Sequence, residues 1–267
     1  MKNEINIIGN GYMGSQVSAL FHLMGYKVNI FYNLNKNENL IINNIRLLKK
    51  KILFTEKTQN FHFFNDLDNI KKFPTIECAS ENLLIKKKIF KKIFKKFDVN
   101  IFSNTSSINV NEINAKINVL HFFNPIFIGI FEVFKTKNID YAGEQILNYL
   151  NQKNFLVLNI PSPEKVILNK IIFSEISNFF YLIEKENKNK NELFNTFNKM
   201  TNYNLLSLLD IIGIDTSVAI LKNLKKLNNK FYIPQILEEA LLKKILGKKN
   251  KKSISIIFNS EDYPNLI

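Results

Sequence analysis

Hydrophobic and polar positions along this chain switch between two periods. Residues 5–8 are short and mostly apolar, the pattern of a buried strand. From Met13, apolar residues recur at Val17, Leu20, Phe21 and Met24, the stripe of a helix, and Gly25 falls where a C-terminal cap belongs. Residues 28–31 read as a second strand, so strand, turn, helix and strand follow within about 30 residues, the length of a βαβ unit. Residues 36–55 carry a basic helical pattern, 73–78 a strand, and 81–97 a second basic helix. Residues 99–102, 119–122 and 130–134 read as further strands. This alternation predicts an α/β fold on a doubly wound, mainly parallel sheet of Rossmann type.

The pattern changes at "NIPSPE", residues 159–164, whose two prolines mark a break. Residues 166–183 are apolar almost all round and predict a buried helix. "KENKNKNE", 185–192, reads as a solvated connector, helical patterns then run to about Leu246, and the lysine-rich stretch 248–252 reads as exposed. The simplest partition is an α/β domain over residues 1–161 and an all-helical C-terminal domain over 162–267. A helix that is apolar all round, at the start of a small helical domain, predicts packing against a second copy, hence a homodimer.

Composition narrows the function classes. The chain has 267 residues, 46% of them hydrophobic, with no apolar run long enough to span a membrane. The early strand leaves no room for a signal peptide, and Cys78 is the single cysteine, so a reducing cytoplasm is expected. His22, His62 and His121 are too few for a histidine-rich metal site. The formal charge of +14 would suit an anionic partner. It rests on lysine, with Arg46 the single arginine, while Asn, Ile and Phe are in excess and Gly and Pro scarce. That pattern marks an AT-rich genome rather than a phosphate-reading face, so nucleic acid is not an expected partner.

Gly9, Gly11 and Gly14 stand as G-x-G-x-x-G between the first strand and the first helix. In that context the first glycine permits the turn, the second lets a diphosphate approach the backbone, and the third lets helix and sheet pack closely. The 1–161 domain is therefore predicted to bind a dinucleotide. The second strand ends Phe31-Tyr32-Asn33, without the acid that usually holds the adenosine ribose of NAD. Asn33 offers an amide, and Lys36 is the nearby cation for a 2′-phosphate.

Four polar residues stand in apolar surroundings: Ser106, His121, Glu132 and Asn169. Each alone also fits a local role, a capping serine or a satisfied core histidine, for example. Together they could form one polar site beside a nicotinamide.

Longer strings carry a resemblance. "IIGNGYMGSQVSALFHLMGYKV", "IECASENLLIKKKIF", "SNTSSI", "HFFNP", "ILNKIIFSEISNFFYLIE", "LLDIIGIDT" and "KILGKKNKK" run in order from residue 5 to about 258. Their order and spelling resemble the short, monofunctional L-3-hydroxyacyl-CoA dehydrogenases. The resemblance implies a 3-hydroxyacyl-CoA substrate, with His121 as general base paired to Glu132, and with Ser106 and Asn169 on the reacting oxygen. It implies NAD, with NADP left open, held by Gly9, Gly11, Tyr12, Met13, Gly14, Asn33, Glu81, Lys86 and Ser106, with Asn124 in the histidine turn. The chain departs from the family pattern at Tyr32, at Glu164-Lys165 and at Lys170. It also shortens the segment before Glu77, which in the family helps hold CoA, and the segment from Ser106 to His121. Two other readings stay open: a dehydrogenase of a different 3-hydroxy acid, and a non-catalytic dinucleotide-binding relative.

Overall fold

The structure, a computed structural model, describes residues 4–52, 54, 60–98, 101–136, 139, 141–163, 166–186, 189–201 and 204–259. The strand expectation at residues 99 and 100, and the departure at 164 and 165, lie outside these. The chain forms two compact units, Met1–Val166 and Ile167–Ile267.

The first unit holds β1 (Glu4–Ile8), α1 (Tyr12–Leu23), β2 (Lys27–Phe31), α2 (Glu38–Lys51), β3 (Phe61–Phe64) and β4 (Thr75–Glu77). It continues with α3 (Leu83–Lys96), β5 (Ile101–Ser103), β6 (Ile117–Phe122), β7 (Ile130–Phe134), α4 (Tyr141–Gln152) and β8 (Leu156–Asn159). The strands make one sheet in the order β3-β2-β1-β4-β5-β6-β7-β8. All neighbours pair in parallel except β6 with β7. The order reverses between β1 and β4, so the doubly wound, mainly parallel sheet is as expected.

Period-2 alternation sorts the strands' side chains to the two faces. Ile5, Ile7, Val28 and Ile30 meet Val17, Leu20 and Phe21 of α1 and Ile146 and Leu150 of α4 in one core cluster. Ile8, Phe31, Ile101, Ile117 and Val119 meet Phe90 and Ile93 of α3 in another. A fully buried phenylalanine such as Phe21 contributes about 3–5 kcal/mol, judged by the usual cost of truncation to alanine. Helix α1 ends as the pattern predicts, with Gly25 in the left-handed region at φ +80°.

Four elements differ from the sequence reading. β3 and β8 were not expected, and each is a four-residue strand paired to one neighbour at the sheet's edge. β3 is held by ring stacking as well as by its ladder, with Phe31 and Phe64 centroids 5.1 Å apart. Helix α4 was not expected either; it buries Ile146, Leu147 and Leu150, with Tyr149 packed beside them. β4 is shorter than the expected 73–78, because Pro74 has no N–H to give the ladder.

The second unit is helical: α5 (Leu168–Lys185), α6 (Lys190–Thr201), α7 (Leu205–Ile212), α8 (Ile214–Leu227), α9 (Gln235–Leu242) and the short α10 (Ser255–Phe258). Its core gathers Phe173, Ile176 and Phe180 of α5 with Leu209, Leu221, Ile236 and Phe258. Asn204 caps α7 by accepting the Ser207 N–H at 2.8 Å. Helix α5 is not buried all round. Ile171 is 51% exposed and Tyr181 45%, on the side away from Phe173 and Phe180. Among the described residues, no helix is long and apolar enough to cross a membrane.

Candidate active site

The three glycines of the first turn are required for different reasons. Gly9 has φ +99°, and an added Cβ would lie 2.6 Å from the Cys78 carbonyl oxygen. A Cβ on Gly14 would lie 1.9 Å from the Gly9 carbonyl oxygen. Both sites are closed by the protein's own backbone. Gly11 is different: its φ is an ordinary −66°, and a Cβ there would meet nothing within 4 Å. The space over Gly11 is therefore left open, and no side chain caps the N-terminus of α1 beside it. Free N–H groups, the positive end of the helix dipole and an open approach suit a diphosphate. The turn lies where β1 leaves the sheet at its order reversal, the usual ligand crevice of such folds. Tyr12 and Met13 occupy the first turn of α1. A dinucleotide fits these residues.

The loop after β2 is rich in amides. Asn10 donates to the Asn35 carbonyl at 2.6 Å, and Asn37 donates to the Asn10 carbonyl at 3.0 Å, which ties the loop after β2 to the glycine turn. Asn33 is exposed on this loop. Lys36 lies 4.3 Å from the Phe63 ring centroid and 2.7 Å from Glu38, so the nearby acid is already ion-paired.

His121 and Glu132 face each other across the β6–β7 ladder as direct register partners. His121 Nδ1 is 2.8 Å from Glu132 Oε2, with the histidine 6% and the glutamate 0% exposed. Ser106 lies in the turn after β5, the neighbour of β6. Its hydroxyl makes no hydrogen bond among the described residues, although its backbone is tightly held. Asn169 lies on α5 in the second unit, 9% exposed, and its amide likewise makes no hydrogen bond among the described residues.

Glu81 and Lys86 form part of a polar network in the first unit. Lys86 Nζ is 2.7 and 2.8 Å from the two Glu77 oxygens and 3.4 Å from Glu81 Oε2. Ser103 also donates to Glu77, at 2.6 Å. Glu81 Oε1 accepts from the Thr105 hydroxyl at 2.5 Å, the Ser106 and Ser107 N–H groups at 3.1 and 3.0 Å, and the Ser107 hydroxyl at 2.9 Å. Burial works against the Glu81 carboxylate, but Lys86 and these hydrogen bonds outweigh it and hold its pKa below the ordinary range. Burial works against charge on Lys86 too, and the Glu77 and Glu81 carboxylates outweigh it, holding that pKa up. Burial, reinforced by the Glu77 charge, pushes the Cys78 thiol up, so Cys78 is a neutral thiol here.

Two positioning side chains escaped the sequence reading. Asn104 accepts the Phe122 N–H at 2.9 Å and ties the serine turn to the histidine strand. Gln16, on α1, donates to Asn124 and accepts the Ile126 N–H. The signal was a polar residue, 4% exposed, inside a helix face that otherwise packs on the sheet.

Comparison with known proteins gives the same picture. Residues 4–150 match the family described as 3-hydroxyacyl-CoA dehydrogenase, NAD binding domain. A protein of Rickettsia prowazekii, named as a fatty acid oxidation complex trifunctional enzyme, is 33% identical over 150 residues, which is 47% of this chain. The matched stretch spans 21% of that relative's length. The fold is shared with FadB2 of M. tuberculosis, at TM-score 0.75 and 19% identity over 94% of this chain and 97% of that one. It is also shared with (S)-3-hydroxybutyryl-CoA dehydrogenase PaaH1 from Ralstonia eutropha, at TM-score 0.72 and 21% identity over 95% and 98% of the two chains. The open cradle over Gly11 and the match that runs from β1 into α4 agree: this chain carries an NAD-binding domain and belongs to the 3-hydroxyacyl-CoA dehydrogenase family.

Proposed function

We propose that the protein interconverts L-3-hydroxyacyl-CoA and 3-oxoacyl-CoA with NAD, His121 acting as general base. The observation that carries this reading is the 2.8 Å contact between His121 Nδ1 and a fully buried Glu132. A buried carboxylate on Nδ1 keeps that nitrogen protonated and leaves Nε2 as the basic atom. With Nδ1 held by Glu132, Nε2 is the nitrogen left to take the proton of the 3-hydroxyl. Bound NAD supplies the hydride acceptor. The Ser106 hydroxyl, unbonded among the described residues, is a donor we assign to the reacting oxygen, and for Asn169 we keep the role on that oxygen that the family resemblance implies. Gly9, Gly11 and Gly14, with Tyr12 and Met13, would hold the diphosphate, and Asn33 the adenosine ribose. Glu81 and Lys86 support the Ser106 turn at the nicotinamide end. We place the protein in the cytoplasm as a homodimer, with the exposed Ile171–Tyr181 side of α5 as the contact, acting on short or medium acyl chains.

The test is oxidation of NADH, and separately NADPH, with acetoacetyl-CoA, followed by absorbance in the wild type and in His121→Ala. The variant should lose turnover and keep NADH binding. Turnover retained in His121→Ala refutes the role of His121. A folded wild type inactive with both cofactors refutes the acyl-CoA assignment and favours another 3-hydroxy acid.

A further inference from the structure

Gln16 lies two residues beyond Gly14, and its amide is committed at both ends. Oε1 accepts from the Ile126 backbone N–H at 2.9 Å. Nε2 donates to Asn124 Oδ1 at 3.1 Å and lies 3.8 Å from the Met13 sulfur. The polarity of this chain of bonds is forced. A backbone N–H can only donate, so the Gln16 atom facing Ile126 must be the oxygen. The other end of Gln16 is then the NH2 group, and the Asn124 atom facing it must be an acceptor. Asn124 is left with Nδ2 on its far side, carrying donor hydrogens that find no acceptor among the described residues. Asn124 is half-buried and three residues beyond His121, in the turn that follows β6.

We propose that Gln16 is a positioning residue: its backbone-held amide fixes Asn124 as a hydrogen-bond donor to a neutral acceptor oxygen of the bound ligand, beside His121. The two orientations of an asparagine amide have nearly the same shape, so without Gln16 the side chain could present either an oxygen or an NH2 group. With Gln16 only the NH2 group faces outward, and the site needs no reorganisation when ligand arrives. The acceptor oxygen belongs either to the nicotinamide riboside half of the cofactor or to the acyl group of the substrate. The inference rests on the proposed function for its placement at the reacting end.

Gln16→Glu is the informative change. A carboxylate still accepts the Ile126 N–H, but its second oxygen now faces Asn124 as an acceptor. Asn124 must turn Nδ2 inward and present Oδ1 to the ligand. Asn124→Asp reaches the same end by another route, since one oxygen accepts from Gln16 and the other offers no donor. We would measure the NADH Kd by fluorescence titration, and kcat and KM for acetoacetyl-CoA at saturating NADH. The set is wild type, both variants, Asn124→Ala and the double variant Gln16→Glu/Asn124→Ala, with folding checked by circular dichroism. Each single change should weaken one parameter by about tenfold or more, the scale of losing a preorganised donor. A raised NADH Kd assigns the oxygen to the cofactor; a raised KM or lowered kcat assigns it to the acyl group. In the Asn124→Ala background, Gln16→Glu should have no further effect. Equal losses in both backgrounds overturn the proposal, because Gln16 would then only hold the turn. If Gln16→Glu does not fold, wild-type binding and turnover in Asn124→Asp overturn it. If the wild type binds NADH but reduces no acyl-CoA, the proposed function fails, and an NADH Kd unchanged across the variants then overturns this inference as well.

Discussion

Replacing Lys86 with methionine tests whether the network below the serine turn is held by charge. Lys86 is 1% exposed and its partner Glu77 is 0% exposed, with Glu81 at 27%. Methionine keeps the length and the apolar stem, so the volume is nearly conserved. What it removes is the one ammonium shared by two carboxylates. Removing one partner of a buried ion pair costs about 3–5 kcal/mol, mostly from the charge left behind. For a unit of the size of Met1–Val166, that is a fall of roughly 6–20 °C in melting temperature. The pH dependence carries a sign. Glu81's pKa is held down, so its contribution is present above the ordinary carboxylate pKa and is lost as pH falls through the depressed value. Lys86's is held up, so its contribution is full below the ordinary lysine pKa and is lost as pH rises through the raised value. In Lys86→Met the stranded carboxylates are relieved by protonation, so the gap to wild type should narrow as the solution is acidified. Calorimetry over a pH series checks this, and Glu77→Gln added to Lys86→Met should recover much of the loss. A variant that melts within a degree or so of wild type would refute the reasoning. So would a gap that does not change with pH.

The glycine turn separates folding from binding. Gly11→Ala should melt within a few degrees of wild type, since its Cβ meets nothing, yet raise the NADH Kd by about tenfold or more. Gly14→Ala should yield no folded protein, since its Cβ would sit 1.9 Å from a carbonyl oxygen; circular dichroism and NADH fluorescence report both outcomes. Glu132→Gln keeps the shape of the pair and removes its charge, so kcat should fall by about 10²–10⁴ with NADH binding intact. A kcat within a few-fold of wild type would remove Glu132 from the mechanism.

The elements legible in the sequence are those whose patterns are complete within themselves. β1, α1, β2 and β7 each bury a full face, and their apolar positions announce it. β3 and β8 have four residues and one neighbour each, so their identity comes from the strand they pair with. Helix α4 reads weakly because Asn, Gln, Glu and Gly stand among the apolar residues it buries. The candidate site divides the same way. Glu132 stood out as a carboxylate in an apolar strand, and antiparallel pairing then places it opposite His121, since Leu120 faces Val133 and Val119 faces Phe134. The role of Glu81 in holding the Ser106 turn was not legible, because Glu81 reaches 24 to 26 residues along the chain to a neighbouring strand's end.

Gln16 marks the limit most sharply. An amide is donor and acceptor at once, and nothing in its neighbours along the chain says which end is used where. Its meaning comes from one backbone N–H 110 residues away, at Ile126. That group cannot reverse, so it sets Gln16, and Gln16 sets Asn124. A backbone donor at the end of such a chain turns an ambiguous side chain into a defined one. Polar residues buried in a cofactor helix can therefore be read by tracing their bonds to the nearest backbone group and working outward to the ligand.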